Sequence, residues 1–122
     1  MANRPEGWHT VTSRLLVEDP GGLVRFIKTV FQASGERQLE RPSEIWIGDS
    51  VIMVSDASTR RPTSACLYVY VDDVDSVWER ARAEGATAIE PPTDLPWGDR
   101  RVIVEDAWGN MWQIATRTGP AD

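Results

Sequence analysis

The chain holds one histidine and one cysteine in 122 residues, and these two scarcities exclude much chemistry at once. A lone thiol, Cys66, cannot close an internal disulfide, which suits a reducing, cytoplasmic compartment. A lone imidazole, His9, sits near the N-terminus, so no Ser-His-Asp set assembles and Cys66 has no identifiable base. Basic residues are also short: 13 Lys and Arg stand against 19 Asp and Glu, a net charge of −6. That balance opposes nucleic-acid binding, which needs a basic face. The pair Arg60-Arg61, followed by Pro62, suits a solvated turn. No stretch reaches the ~20 apolar residues of a membrane helix, and Met1 to Trp8 has no apolar signal-peptide core. Glycine builds no phosphate loop, because Gly21-Gly22 only opens a helix. What the chain does have is tryptophan, six residues of it, and an ordinary 41% hydrophobic content, enough for one globular domain.

An internal repeat organises that domain. Leu15-Leu16-Val17-Glu18-Asp19 resembles Val69-Tyr70-Val71-Asp72-Asp73, and each apolar run leads through an acidic pair into a helical pattern. Leu23, Phe26, Ile27, Val30 and Phe31 fall on one helical face, as do Val74, Val77, Trp78 and Ala81. Asp19 and Asp73 stand at N-cap positions, with Pro20 at the first helical position. Gly35 and Gly85 are placed to end the helices in left-handed caps. Strands are expected at 36–40, 44–47 and 50–55 around a Gly48-Asp49 turn. Their counterparts are 87–89, a proline-rich loop, 101–105, a Gly109-Asn110 turn and 111–116. Each half therefore reads βαβββ: module one covers about 9–56, a linker 57–64, and module two about 65–117.

Two such modules, together with several phrases, resemble the vicinal-oxygen-chelate superfamily of glyoxalases, bleomycin-resistance proteins and dioxygenases. The phrases are Ile47-Gly48-Asp49-Ser50-Val51-Ile52-Met53-Val54, Tyr70-Val71-Asp72-Asp73, Trp97-Gly98-Asp99-Arg100 and Asp106-Ala107-Trp108-Gly109-Asn110-Met111-Trp112-Gln113. They are similar to the superfamily's PhnB-like branch. The resemblance implies an α+β fold in which the two modules form a curled, cup-shaped mixed sheet with helices outside. It also implies a homodimer, possibly module-swapped.

Period-two alternation then assigns faces. Val11, Ser13, Leu15 and Val17, with Leu67, Val69 and Val71, are expected to pack on the helices. Thr12, Arg14, Leu16, Cys66, Tyr68 and Tyr70 point the other way. So do Glu44, Trp46, Val51, Met53, Ser55, Met111, Gln113 and Ala115.

Metal-dependent members of the superfamily place His or Gln on the first strand of each module and Glu on the last. The matching positions here are Thr12, Met53, Cys66 and Gln113, a poor donor set for a divalent ion. No metal or other cofactor is therefore expected, and no catalytic residue is assigned. What remains is aromatic and apolar. The ligand-binding set is Trp46, Trp97, Tyr68, Tyr70, Met53, Met111, Arg14, Glu44, Thr12, Cys66 and Gln113. Trp78 and Trp112 are assigned to the core, and Trp8 and Trp108 equally to anchoring or dimer contact and to ligand contact. Arg14 and Glu44 either pair across strands or hold a polar group of a ligand. Arg100 pairs with a carboxylate, and Asp106 accepts hydrogen bonds from its turn. The resulting expectation is metal-independent binding and sequestration of a small hydrophobic or aromatic molecule, as in antibiotic self-resistance or carriage. The alternatives are a metal-free lyase, isomerase or epoxide-type enzyme using Glu44, Arg14 or tyrosine, and a metal-dependent glyoxalase or dioxygenase with unorthodox ligands.

Overall fold

A computed structural model describes residues 3–58 and 61–119, so Arg60 lies outside the described residues. The chain divides into two compact units, residues 1–63 and 64–122. The first contains β1 (Ser13–Val17), α1 (Pro20–Phe31), β2 (Ser43–Ile47) and β3 (Ser50–Asp56). The second contains β4 (Cys66–Tyr70), α2 (Val74–Ala83), β5 (Thr87–Asp94), β6 (Asp99–Glu105) and β7 (Met111–Arg117).

Both helices start where capping chemistry places them. Asp19 accepts from the Gly22 amide at 3.0 Å with Pro20 at the first turn. Asp73 accepts from the Ser76 amide at 3.3 Å and its hydroxyl at 2.6 Å. These bonds satisfy amides that a helix start leaves without partners. On α1, Leu23, Phe26, Ile27 and Val30 are buried, with Leu15, Val17, Ile45 and Val54 of the sheet. On α2, Val74, Val77 and Ala81 are buried, as are Val102, Val104, Trp112 and Ile114 of their sheet. Trp112 is thus a core residue, whereas Trp78 is half-buried. Each fully buried aliphatic side chain contributes about 1.5–3 kcal/mol to stability.

The sheets are mixed, ordered β1-β3-β2 and β4-β7-β6-β5. In each unit the first strand runs parallel to the last, Leu15 opposite Val54 and Tyr68 opposite Gln113. The helix supplies the crossover that parallel pairing requires. The remaining pairs are antiparallel.

Four local expectations are corrected. Helix α1 ends at Phe31, and the residue that caps it in the left-handed conformation is Gln32, at φ 53°, not Gly35. Gly35 serves a different purpose: a Cβ there would lie 2.3 Å from the Glu44 carbonyl oxygen, so only glycine lets the two backbones approach. The expected strand at 36–40 does not form. Ser34 makes an isolated bridge to Trp46 instead, Leu39 is exposed, and the Gln38 amide donates to the Ser43 hydroxyl at 2.8 Å. A segment this polar has no apolar face to bury, so nothing holds it in the ladder. Conversely, β5 continues through Pro91 and Pro92 to Asp94, with register shifts on either side of Glu90. Proline is tolerated there because β5 is an edge strand and bulged. Finally, Val11 and Thr12 precede β1, and Val11 is exposed instead of packing on α1.

Candidate functional site

The second unit gathers most of the expected ligand-binding residues on one face. Parallel pairing sets Cys66 opposite Met111, Tyr68 opposite Gln113, and Tyr70 opposite Ala115. The register of β6 extends this face through Ile103, Arg101 and Asp99. The sulfurs of Cys66 and Met111 are 3.8 Å apart, and Gln113 Nε2 donates to Cys66 Sγ at 3.5 Å. The rings of Tyr68 and Tyr70 stand 5.4 Å apart, tilted by 52°.

The face is more polar than an aromatic wall, because two charged clusters run through it. Asp99, only 2% exposed, accepts from Tyr68 at 2.6 Å, from Tyr70 at 3.0 Å and from Arg117 at 3.1 Å. The Tyr68 hydrogen bond, joined by those from Tyr70 and Arg117, holds the Asp99 carboxyl below its ordinary range despite its burial. Desolvation, then the bond to Asp99, pushes the Tyr68 hydroxyl up to about 12. Tyr70 is raised too, chiefly by its bond to Asp99. The second cluster centres on Arg101, which donates to Glu90 at 3.2 Å and to Gln113 at 3.3 Å. Its guanidinium carbon lies 5.9 Å from the centroid of the Trp97 ring, a cation–π arrangement.

These pairings constrain the chemistry. A phenol raised to about 12 stays protonated at neutral pH and is a poor base. A carboxyl held low, as in Asp99, is a poor general acid.

Asp99, Arg101, Glu90 and Arg117 were not among the residues expected from sequence. A signal for two of them was present. Val102 and Val104 mark the helix-facing side of β6, so alternation sends Asp99 and Arg101 to the opposite face. Arg100, on the helix side, pairs with Asp75 at 3.0 Å and Asp94 at 3.2 Å. Asp106, as expected, accepts from the amides of Trp108 at 2.9 Å and Asn110 at 3.0 Å.

The other expected residues lie in the first unit. Met53 of β3 is flanked in register by Arg14 of β1 and Glu44 of β2. Arg14 and Glu44 do not pair across it. Arg14 donates to the Ser55 hydroxyl at 2.9 Å, and Glu44 accepts from Arg41 at 2.6 Å, where a local partner is nearer. Trp46 is half-buried and meets Trp8 edge to face, with centroids 6.4 Å apart at 89°. Trp8 therefore anchors the segment before β1, and part of the Trp46 surface is taken by it.

A family-type metal would meet the donors of four positions. Thr12 offers a hydroxyl outside β1, Met53 a thioether, Cys66 a thiol already accepting from Gln113, and Gln113 an amide shared with Arg101. That set does not fit a divalent ion of the zinc, nickel, manganese or iron class. Among the described residues no three His, Cys, Asp or Glu side chains converge on a possible metal position.

The profile of the Glyoxalase/Bleomycin resistance protein/Dioxygenase superfamily matches residues 6–114. The chain belongs to that superfamily. Among solved structures of similar architecture, TioX from Micromonospora sp. ML1 is 26% identical with a TM-score of 0.76, covering 89% of this chain and 98% of that one. A glyoxalase/bleomycin resistance protein/dioxygenase family enzyme from Burkholderia phytofirmans PsJN gives a TM-score of 0.75 at 19% identity, covering 87% and 96%. That second likeness is one of fold. An uncharacterised Mycobacterium bovis protein is 25% identical, covering 85% of this chain and 80% of its own length. The two helices and two mixed sheets of the described residues are the α+β fold of these glyoxalase/bleomycin-resistance relatives. No helix among the described residues is long and apolar enough to cross a membrane.

Proposed function

We propose that this chain binds and sequesters a small hydrophobic or aromatic molecule on the Tyr68–Tyr70 face, without a metal and without turnover. One observation carries the reading. Tyr68, Tyr70 and Trp97 are 42%, 60% and 45% exposed in the same unit, although large aromatic side chains favour burial. Aromatic surface left open is typical of binding sites. The pairing of Asp99, Tyr68, Arg101 and Glu90 with one another supports binding over catalysis, since it leaves no poised proton donor or acceptor among them. Antibiotic self-resistance or carriage would use such a site, in a cytoplasmic homodimer, whose stoichiometry light scattering would establish.

The test is titration of tryptophan fluorescence with a panel of planar aromatic compounds, followed by recovery of the bound compound. The expected result is saturable quenching and unchanged ligand after long incubation, with affinity weakened by Trp97→Ala. Conversion of the ligand would instead favour a glyoxalase- or isomerase-type enzyme. Co-purification of a stoichiometric divalent ion would refute the metal-free reading.

A further inference from the structure

The hydroxyl hydrogens of the two tyrosines are already assigned. Asp99 is 2% exposed and takes hydrogen bonds from Tyr68 at 2.6 Å and from Tyr70 at 3.0 Å. An ionised carboxylate accepts and does not donate, so each phenol must donate its single O–H to Asp99. Toward anything that approaches from outside, the two oxygens present only lone pairs. The cations of this face are engaged or buried as well: Arg101 Nε has no hydrogen-bond partner, but it is buried. Arg101 is held by Glu90 and Gln113 and lies against Trp97, and its side chain is only 15% exposed. Arg117 donates to Asp99 and to the Trp97 carbonyl.

We propose that Tyr68 and Tyr70 form an acceptor edge, and that the face selects planar aromatic molecules carrying their own N–H or O–H donor. Aromatic amines and phenols are the favoured class; aryl carboxylates and aryl ethers are disfavoured. This selectivity rests on the binding function proposed above, and deepens it by stating the ligand's polarity. The carboxylate behind the phenols also discriminates against anions, because like charges repel in a partly desolvated site. Arg117, 43% exposed, offsets that charge in part, so the hydrogen-bond term should exceed the charge term.

Three naphthalenes test it: a naphthol, its methyl ether and the naphthoate, each substituted at the same ring position. Their affinities are measured calorimetrically on the wild-type chain and on Tyr68→Phe, Tyr70→Phe. The naphthol should bind about fivefold more tightly than the ether, the worth of one net hydrogen bond. The naphthoate should bind most weakly, and the naphthol–ether difference should vanish in the doubly substituted variant. Equal affinities, or tightest binding by the naphthoate, would overturn the acceptor edge and leave the binding function standing. A naphthol preference that survives loss of both hydroxyls would overturn its assignment to these tyrosines. Should none of the three bind, the binding function of this face falls, and the acceptor edge with it.

Discussion

Asp106→Ala removes the acceptor around which the β6–β7 turn is organised, and its cost can be worked from the bonds. One carboxylate oxygen accepts from the Trp108 amide at 2.9 Å and the Asn110 amide at 3.0 Å. The other accepts from Asn110 Nδ2 at 3.0 Å and Trp112 Nε1 at 2.9 Å. Asn110 is 1% exposed and Trp112 is 0% exposed, so water cannot readily replace the second pair. Bonds to a charged group are worth about 1.5–3 kcal/mol each, but they share one acceptor and do not add. The two buried donors therefore set the scale, at about 3–5 kcal/mol. For a domain of this size that corresponds to a fall of roughly 10–20 °C in Tm. Urea and thermal denaturation monitored by circular dichroism measure it. Asp106→Asn is the isosteric control: its amide can serve one pair of donors and must turn an N–H toward the other, so about 2–3 kcal/mol is expected. A loss below about 1 kcal/mol in Asp106→Ala would refute the turn as the anchor of β7.

Three further outcomes are expected. Asp99 has a lowered folded-state pKa, so its contribution is full above its ordinary value of 3.8 and is lost as pH falls through the lower folded value; Asp99→Asn should flatten the acid limb of a stability–pH profile. Tyr68 shifts the other way, from 10.0 to about 12, so its contribution holds below pH 10 and disappears between 10 and 12; Tyr68→Phe should lessen the alkaline loss, and ultraviolet tyrosinate titration should show both phenols late, since Tyr70 is raised as well. Gly35→Ala combines φ +116° with a contact 2.3 Å from a backbone oxygen and should cost about 3 kcal/mol in urea denaturation.

The repeat, both helix starts and the hairpin turns were legible because each rests on local chemistry: a capping aspartate, a 3.6-residue apolar period, a glycine able to take positive φ. The roles of Gly35 and of 36–40 were not. Gly35 is required because a Cβ there would lie 2.3 Å from a backbone oxygen nine residues distant in sequence, and no local pattern reports such an approach. Alternation correctly put Cys66, Tyr68 and Tyr70 with Met111 and Gln113. It did not reveal that Asp99 would draw both phenols to itself, because residues 68 and 99 meet only once β4, β7 and β6 pair. The Arg14–Glu44 pairing fails for a related reason. The two residues share a rung with Met53 between them, and each finds a nearer partner.

The prolines of β5 have a consequence for behaviour at high concentration. An edge strand exposes unpaired amides and carbonyls that can template a strand from another chain. Here the edge also carries Ile89, 51% exposed, the sort of apolar side chain that makes such templating adhesive. Pro91 and Pro92 supply no amide hydrogen, and the register shifts around Glu90 spoil the even spacing an incoming strand would need. This margin of the sheet is thereby guarded against fibril growth. Replacing both prolines with β-branched residues would turn a bulged border into an open one, with aggregation as its first visible effect.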